Sequence, residues 1–278
     1  MVIYNHNTIN SISTVQIYYR VWVRLMNLRT VFLDARLWRY ILRELSQFVE
    51  SVGIRFHPSE GARLKAMDPS HVVLVDLSIP SSAFEEYNVN EESTLIIPLE
   101  PVSKVLRRAG RGDKLMITSD GLKLTIGLVS RGNTERIFTL PLLSGSYEEI
   151  PELSLEFDVQ AKTTGITLAS SLSILEDVGE ILKIKVYKEG ISLISTSELG
   201  EAEIALTIPA GTLIDYQSLQ DIEEFINAYS MEYLSILSTI SRIAEIVTIK
   251  LGRDMPCEFD LDLISGSIMK LYVAPRSE

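Results

Sequence analysis

Cysteine occurs once in the 278 residues, at Cys257, and histidine three times, at His6, His57 and His71. One thiol excludes an internal disulfide framework and any multi-cysteine metal site, and the count suits a reducing, intracellular setting. The histidines do not fall at metal-ligand spacing and no P-loop or dinucleotide fingerprint is present, so neither metal nor cofactor is expected. Long hydrophobic runs are missing as well. Apolar residues make up 46 % of the chain, enough for a sizeable core, yet no run of 18 uninterrupted apolar residues exists, which argues against a membrane-spanning helix. Positive charge is in deficit: 26 Lys and Arg stand against 37 Asp and Glu, a formal net charge of −11. Such an average field repels phosphate, so any nucleic-acid role requires cations gathered on one face.

The first 25 residues stand apart, with Arg20 and Arg24 but no acid. They lack the early basic region, apolar run and cleavage site of a secretory signal. The expectation is a non-core extension, or a start codon placed too early, with an edge strand or tail as the competing reading.

From Met26 onward the pattern is regular. VFLDA (31–35) reads as a strand and LWRYILRELSQFVE (37–50) as a helix with Leu37, Ile41, Leu45 and Phe48 on one side. Four strand-like runs follow, ending in TLIIPLE. PVSKVLRRAG (101–110) reads as a second helix stopped by glycine, and 114–130 as a hairpin turning at Ser119-Asp120-Gly121. The grammar then repeats. LSLEFDVQA opens as VFLDA did, helices are expected at 163–179 and 229–243, and SIP at 78–80 lines up with TIP at 207–209, an offset of 129. About eight elements agree in order and spacing. This predicts an α+β fold of two topologically similar domains, at 26–138 and 155–278, each with two helices on antiparallel sheets. Residues 139–154 read as a connecting loop.

Charge segregates along the two N-terminal helices. At 100° per residue Lys104, Arg107 and Arg108 fall opposite Val102, Val105, Leu106 and Ala109, with Arg111 just beyond. Arg36, Arg39 and Arg43 form a second stripe, so seven of the 26 basic residues lie on two short helix faces. Solvated helix faces are often charged, but with mixed signs; this segregation suits contact with a polyphosphate backbone without base reading. The second half has less, with Lys162 before its first helix and Arg242 at its second.

Asp68, Ser70 and His71 lie almost side by side. Asp-Pro-Ser is turn chemistry, and neighbouring strand residues point to opposite faces, so the histidine is poorly placed as a base for that serine. No convergent acid–base set is found for the alternative of an α+β hydrolase, and an enzyme is not expected. The Arg-Gly-Asp triplet at 111–113 is explained by helix termination.

LKAMDPSHVVLVDLSIPSSAFEEY (64–87) closely resembles the signature segment of the archaeal and eukaryotic sliding clamps, the proliferating cell nuclear antigen family. PLEPVSKVLRRAGRGD, ISTSELGEAEI and the C-terminal LYVAPRSE resemble three further family segments, in the family's order. The resemblance implies three subunits, identical or different, closing head to tail into a ring around duplex DNA, with helices lining the hole and sheets outside. It implies edge strands near 122–130 and 190–197 at the closure, and DNA-facing positions at Arg39, Arg43, Lys104, Arg107, Arg108, Arg111, Lys162 and Arg242. It also implies a groove beneath the linker, formed by Met67, His71, Val72, Ile150, Pro256, Tyr272 and Ala274. There short peptides of DNA polymerase, flap endonuclease, DNA ligase and the clamp loader would insert an aliphatic and two aromatic side chains. Glu148 departs from the family, standing where an aliphatic residue is usual. A clamp-like subunit specialised for damage signalling is the remaining alternative. The implied location is the cytoplasm of an archaeon, at the nucleoid, or the nucleus of a eukaryote, with no membrane contact.

Overall fold

The structure is a computed structural model and describes residues 28–132, 134–145, 150–198, 200–219 and 222–276. The N-terminal segment 1–25 and Glu148 lie outside these residues. In chain order the first half contains β1 (Leu28–Phe32), α1 (Ala35–Leu45), β2 (Ser51–His57), β3 (Gly61–Met67), β4 (Val73–Pro80), β5 (Phe84–Val89), β6 (Ser93–Pro98), α2 (Leu99–Leu106), β7 (Lys114–Ser119), β8 (Lys123–Val129) and β9 (Glu135–Pro141). The second contains β10 (Val159–Thr164), α3 (Gly165–Glu176), β11 (Ile181–Tyr187), β12 (Gly190–Ser197), β13 (Gly200–Thr207), β14 (Asp215–Ser218), β15 (Phe225–Ser230), α4 (Met231–Ile240), β16 (Ile246–Leu251), β17 (Cys257–Asp262) and β18 (Ile268–Val273).

Local chemistry sets the helix ends. Asp34 caps α1 by accepting from Arg36 N, and Thr164 caps α3 by accepting from Thr167 N. Helix α2 begins two residues before Pro101, which sits in the first turn where no intrahelical N–H is required. Helix α1 ends at Leu45 rather than 50, because Ser46 closes it and residues 46–48 leave as a turn. The tight hairpin at Asp120-Gly121 is as expected: Asp120 Oδ1 accepts from Leu122 N and Lys123 N, and Gly121 has φ +88°.

The strands form three antiparallel sheets, ordered β5-β1-β7-β8-β9, β14-β10-β16-β17-β18-β4-β3-β2-β6 and β13-β12-β11-β15. The duplication holds strand for strand. The order β5-β1-β7-β8-β9 recurs as β14-β10-β16-β17-β18, and β4-β3-β2-β6 recurs as β13-β12-β11-β15. What joins the halves is β18, which pairs antiparallel with β4 from Ile268↔Ser78 to Val273↔Val73. All four helices pack against the sheets over one buried apolar cluster that runs through both halves and includes Trp38, Phe56, Tyr229 and Phe259. Helix α1 packs on α2, α3 on α4, and α1 also meets α4.

The same topology corrects the expected edges. Residues 122–130 and 190–197 are interior, since β8 lies between β7 and β9 and β12 between β11 and β13. On these sides the sheets end one strand further along, at β9 and β13; β5, β6, β14 and β15 are the other sheet ends. Strand β9 also extends through Pro141, into the stretch read from the sequence as linker.

Close backbone approach fixes the second helix pair. A Cβ on Gly165, the first residue of α3, would lie 2.1 Å from the Ser241 carbonyl oxygen and 2.3 Å from that of Ala244. Backbone must shift to admit it. Gly165→Ala is expected to destabilise the fold by about 2 kcal/mol or more, read as a lower urea midpoint with unchanged denaturant slope.

Candidate DNA-facing helices and peptide groove

The apolar sides of α1 and α2 are buried, which turns their basic residues outward. Arg43, Lys104, Arg107, Arg108 and Arg111 are exposed, and Arg39 is half-buried. Arg39 ties α1 to the segment that follows α2: Nη1 donates to the Ala109 carbonyl at 2.9 Å, and Nη2 donates to the Tyr40 hydroxyl on α1 itself at 2.9 Å. Lys104 pairs with Glu100 one turn earlier on α2. Among the described residues neither Arg107 nor Arg111 makes a salt bridge, so their charge is available to a ligand. Arg108 lies over the Phe138 ring at 5.8 Å.

A buried carboxylate organises the end of α2. Asp113 Oδ2 accepts from Gly110 N at 2.6 Å and from the Arg136 guanidinium on β9, while Arg136 Nη1 also donates to the Arg108 carbonyl at 2.8 Å. The Gly110 N–H, helped by Ser130 and Arg136 and opposed by desolvation, holds the Asp113 carboxyl below its ordinary 3.8.

The second half offers much less charge. Helix α3 contains no Lys or Arg; its outer stripe is Ile166, Ser170 and Ile174, with Ile166 58 % and Ile174 56 % exposed. Arg242 follows α4, exposed, with Nε donating to the Ser238 carbonyl at 3.0 Å. Lys162 is a correction. It lies in β10, paired with Asp215 and Thr248, between buried Ala161 and Thr163. Strand alternation therefore turns it, with Gln160, to the sheet face away from the helices.

Of the expected groove residues, Val72 and Ala274 are joined by a backbone bond beside the turn that follows Met67, while Tyr272 lines a cavity that contains none of the other six. Met67 ends β3, and His71 and Val72 form the turn into β4. Asp68 is the buried centre of that turn: Oδ1 accepts from Val72 N at 2.7 Å and Val73 N at 2.8 Å, and Oδ2 from Ser70 N at 3.0 Å. This net of donors holds exposed His71 at φ +59°, a left-handed conformation that ordinary residues avoid. Asp68, Ser70 and His71 thus build a turn, and no hydrogen bond links the serine to the histidine. Ala274 N donates to the Val72 carbonyl at 2.8 Å, bringing the C-terminal tail alongside. Lys65 Nζ donates to the Ile150 carbonyl at 3.1 Å and Arg63 Nη2 to Glu152 at 2.8 Å, anchoring the linker over β3.

Tyr272, nearly buried on β18, borders a cavity of about 530 Å³ under residues 153–158, whose floor carries Gln160, Lys250 and Glu258. Its phenol is shifted upward, mainly by burial and then by Glu258. Pro256, half-buried, precedes β17. A second cavity of about 450 Å³, lined by Asn227, Ala228, Asp254, Pro275 and Arg276, adjoins the tail. Ala228 and Pro275, both on this cavity, lie outside the set expected from the sequence. The backbone bond from Arg276 N to the Ala228 carbonyl, 2.8 Å long, brings them together across 48 positions of sequence. Among the described residues no cluster of His, Cys, Asp or Glu could hold a metal ion, and no helix is long and apolar enough to cross a membrane.

Residues 27–143 match the family model described as proliferating cell nuclear antigen, N-terminal domain, and residues 150–276 match its C-terminal domain. The chain belongs to the proliferating cell nuclear antigen family. It is a DNA polymerase sliding clamp, a processivity factor with no catalytic chemistry of its own. Among similar proteins, DNA polymerase sliding clamp 3 of Aeropyrum pernix is 34 % identical over 251 residues, covering 90 % of this chain and 98 % of that one. A DNA polymerase sliding clamp of Thermofilum pendens is 35 % identical over 250 residues, covering 89 % and 98 %. A crystal structure of a PCNA2–PCNA3 complex from Sulfolobus tokodaii matches with a TM-score of 0.82 at 28 % identity, covering 90 % of this chain and all of that one.

The Asp113 link yields a pH-dependent expectation. A carboxyl depressed on folding stabilises the fold above its unfolded value near 3.8 and loses that contribution as pH falls through the lower folded value. Asp113→Asn should therefore lower the urea midpoint at pH 7. The gap from the parent should shrink as pH falls below about 4.

Proposed function

We propose that the clamp closes into a three-subunit ring by pairing β9 of one subunit with β13 of the next. The observation that carries this reading is the internal β18–β4 ladder. By duplication β18 corresponds to β9 and β4 to β13, and of the six sheet-ending strands β9 and β13 are the two whose counterparts pair with each other in that ladder. Repeating the internal junction between molecules satisfies both edges and gives a head-to-tail contact that closes by rotation. The neighbours are further copies or sister chains. The similarity to a PCNA2–PCNA3 complex supports sister chains.

In that ring the helices face the hole and duplex DNA runs through it. Arg43, Lys104, Arg107, Arg108 and Arg111, with Arg39 and Arg242 in support, attract phosphates without register, so the ring slides. Lys162 has no part in it. The remaining acidic surface disfavours DNA outside the ring. On the outer face, Met67, His71, Val72, Ile150, Pro256, Tyr272 and Ala274, extended by Ala228 and Pro275, receive the short peptides of polymerase, flap endonuclease, ligase and loader. The working divisions are domains at 26–138 and 155–278 joined by 139–154, and the place of action is the cytoplasm, at the nucleoid.

The charge-reversal pair Arg107→Glu and Arg108→Glu should leave the melting temperature and ring mass unchanged. It should weaken polymerase stimulation at moderate salt and flatten the log–log salt dependence of DNA binding by about 0.9 for each phosphate that is no longer neutralised. Stimulation equal to the parent's would remove these arginines from the bore. Tyr272→Ala should leave the ring intact and lower peptide affinity at least tenfold, about 1.4 kcal/mol, by calorimetry.

A further inference from the structure

The Asp68 carboxylate has a partner from the other half of the chain. The Tyr233 hydroxyl, on α4, donates to Asp68 Oδ2 at 3.3 Å, across 165 positions of sequence. The Tyr233 ring lies 5.5 Å, centroid to centroid, from that of Phe48, just past α1. One phenol therefore touches the end of the first helix, belongs to the fourth, and reaches the carboxylate that organises the groove wall. That carboxylate holds the amides of Ser70, Val72 and Val73, and the Val72 carbonyl in turn holds the tail through Ala274 N.

We propose that Tyr233 is a positioning residue for the partner-peptide groove: through Asp68 it fixes the His71–Val72 wall to the helix layer that faces DNA. The inference rests on the groove reading above and adds a residue that touches no peptide. Three backbone donors fix where the carboxylate sits relative to its own turn. None of them reaches α4; among the described residues the hydrogen bond from α4 to this carboxylate is that of the Tyr233 hydroxyl. A shift of α4 is then felt at the wall, and a peptide seated on the wall is felt at α4. Such coupling is reciprocal in free energy, so peptide affinity and DNA affinity depend on each other by one factor.

The test uses the full chain assembled in its ring and a synthetic peptide bearing one aliphatic and two aromatic anchors. Tyr233→Phe keeps the ring contact with Phe48 and removes only the hydroxyl. It should lower peptide affinity about fivefold, the range of one hydrogen bond, with ring mass and melting temperature unchanged and with faster amide exchange at Val72 and Val73. In an Asp68→Asn background Tyr233→Phe should cause no further loss, because both act through one contact. Should Asp68→Asn fail to fold, the exchange rates of Tyr233→Phe decide alone. Parent affinity and exchange in Tyr233→Phe, while Tyr272→Ala abolishes binding, would overturn the positioning role and leave the groove standing. Additive losses in the double variant would overturn it as well. Parent affinity in Tyr272→Ala would remove the groove, and this inference with it.

Discussion

The ladder between β18 and β4 is the constraint on which the rest of the molecule depends. It joins β18 to a strand from the first half, so one sheet of each duplicated unit merges into a nine-stranded sheet and the units are not two beads on a string. A ladder of backbone hydrogen bonds fixes register and orientation together. It therefore places α1 beside α4 and puts both helix pairs in one layer. It also forces the linker to cross the outside of the sheet, where Lys65 and Arg63 fasten it at Ile150 and Glu152. The groove proposed for partner peptides would lie where three things imposed by this ladder meet: the turn into β4, the tail after β18 and the crossing linker.

Charge is arranged on that frame in opposition to the whole. A chain with a net charge of −11 presents four of the eight exposed arginines among its described residues, Arg43, Arg107, Arg108 and Arg111, on α1 or just beyond α2, and α3 contributes none. Long-range repulsion and short-range attraction then act on different faces. Screening at physiological salt limits each arginine to its near neighbourhood, about 8 Å, which suits a contact that must be remade at every step along the duplex. Within a subunit the exposed helix surfaces are uneven, cationic along the first pair and mostly hydroxyl and aliphatic along α3.

Much of this is legible in the sequence. The repeat offset of 129 is carried by a matching order of strands, and the Asp-Pro-Ser turn and the Asp120-Gly121 hairpin follow from local side-chain chemistry. Three features are not legible, each for a physical reason. The free edges fall one strand beyond the expected ones because β8 and β9 both alternate; which strand ends a sheet is decided by long-range pairing, and local pattern is silent on it. Lys162 suggests the helix face by its closeness to the start of α3, yet a strand reverses its facing at every residue. Tyr233, Ala228 and the Arg136–Asp113 link depend on contacts between distant segments, and no spacing in the sequence announces them.

Cys257 supplies a last consequence. The single thiol of the chain opens β17, is fully buried, donates to the Val273 carbonyl at 3.6 Å, and is pushed well above its ordinary titration range by burial. It stays protonated and shielded from alkylating reagents. The native subunit is thus chemically silent toward maleimides, and a cysteine introduced at any surface position would be its one addressable handle. Fluorophores or spin labels could report ring opening or sliding without first removing a native residue.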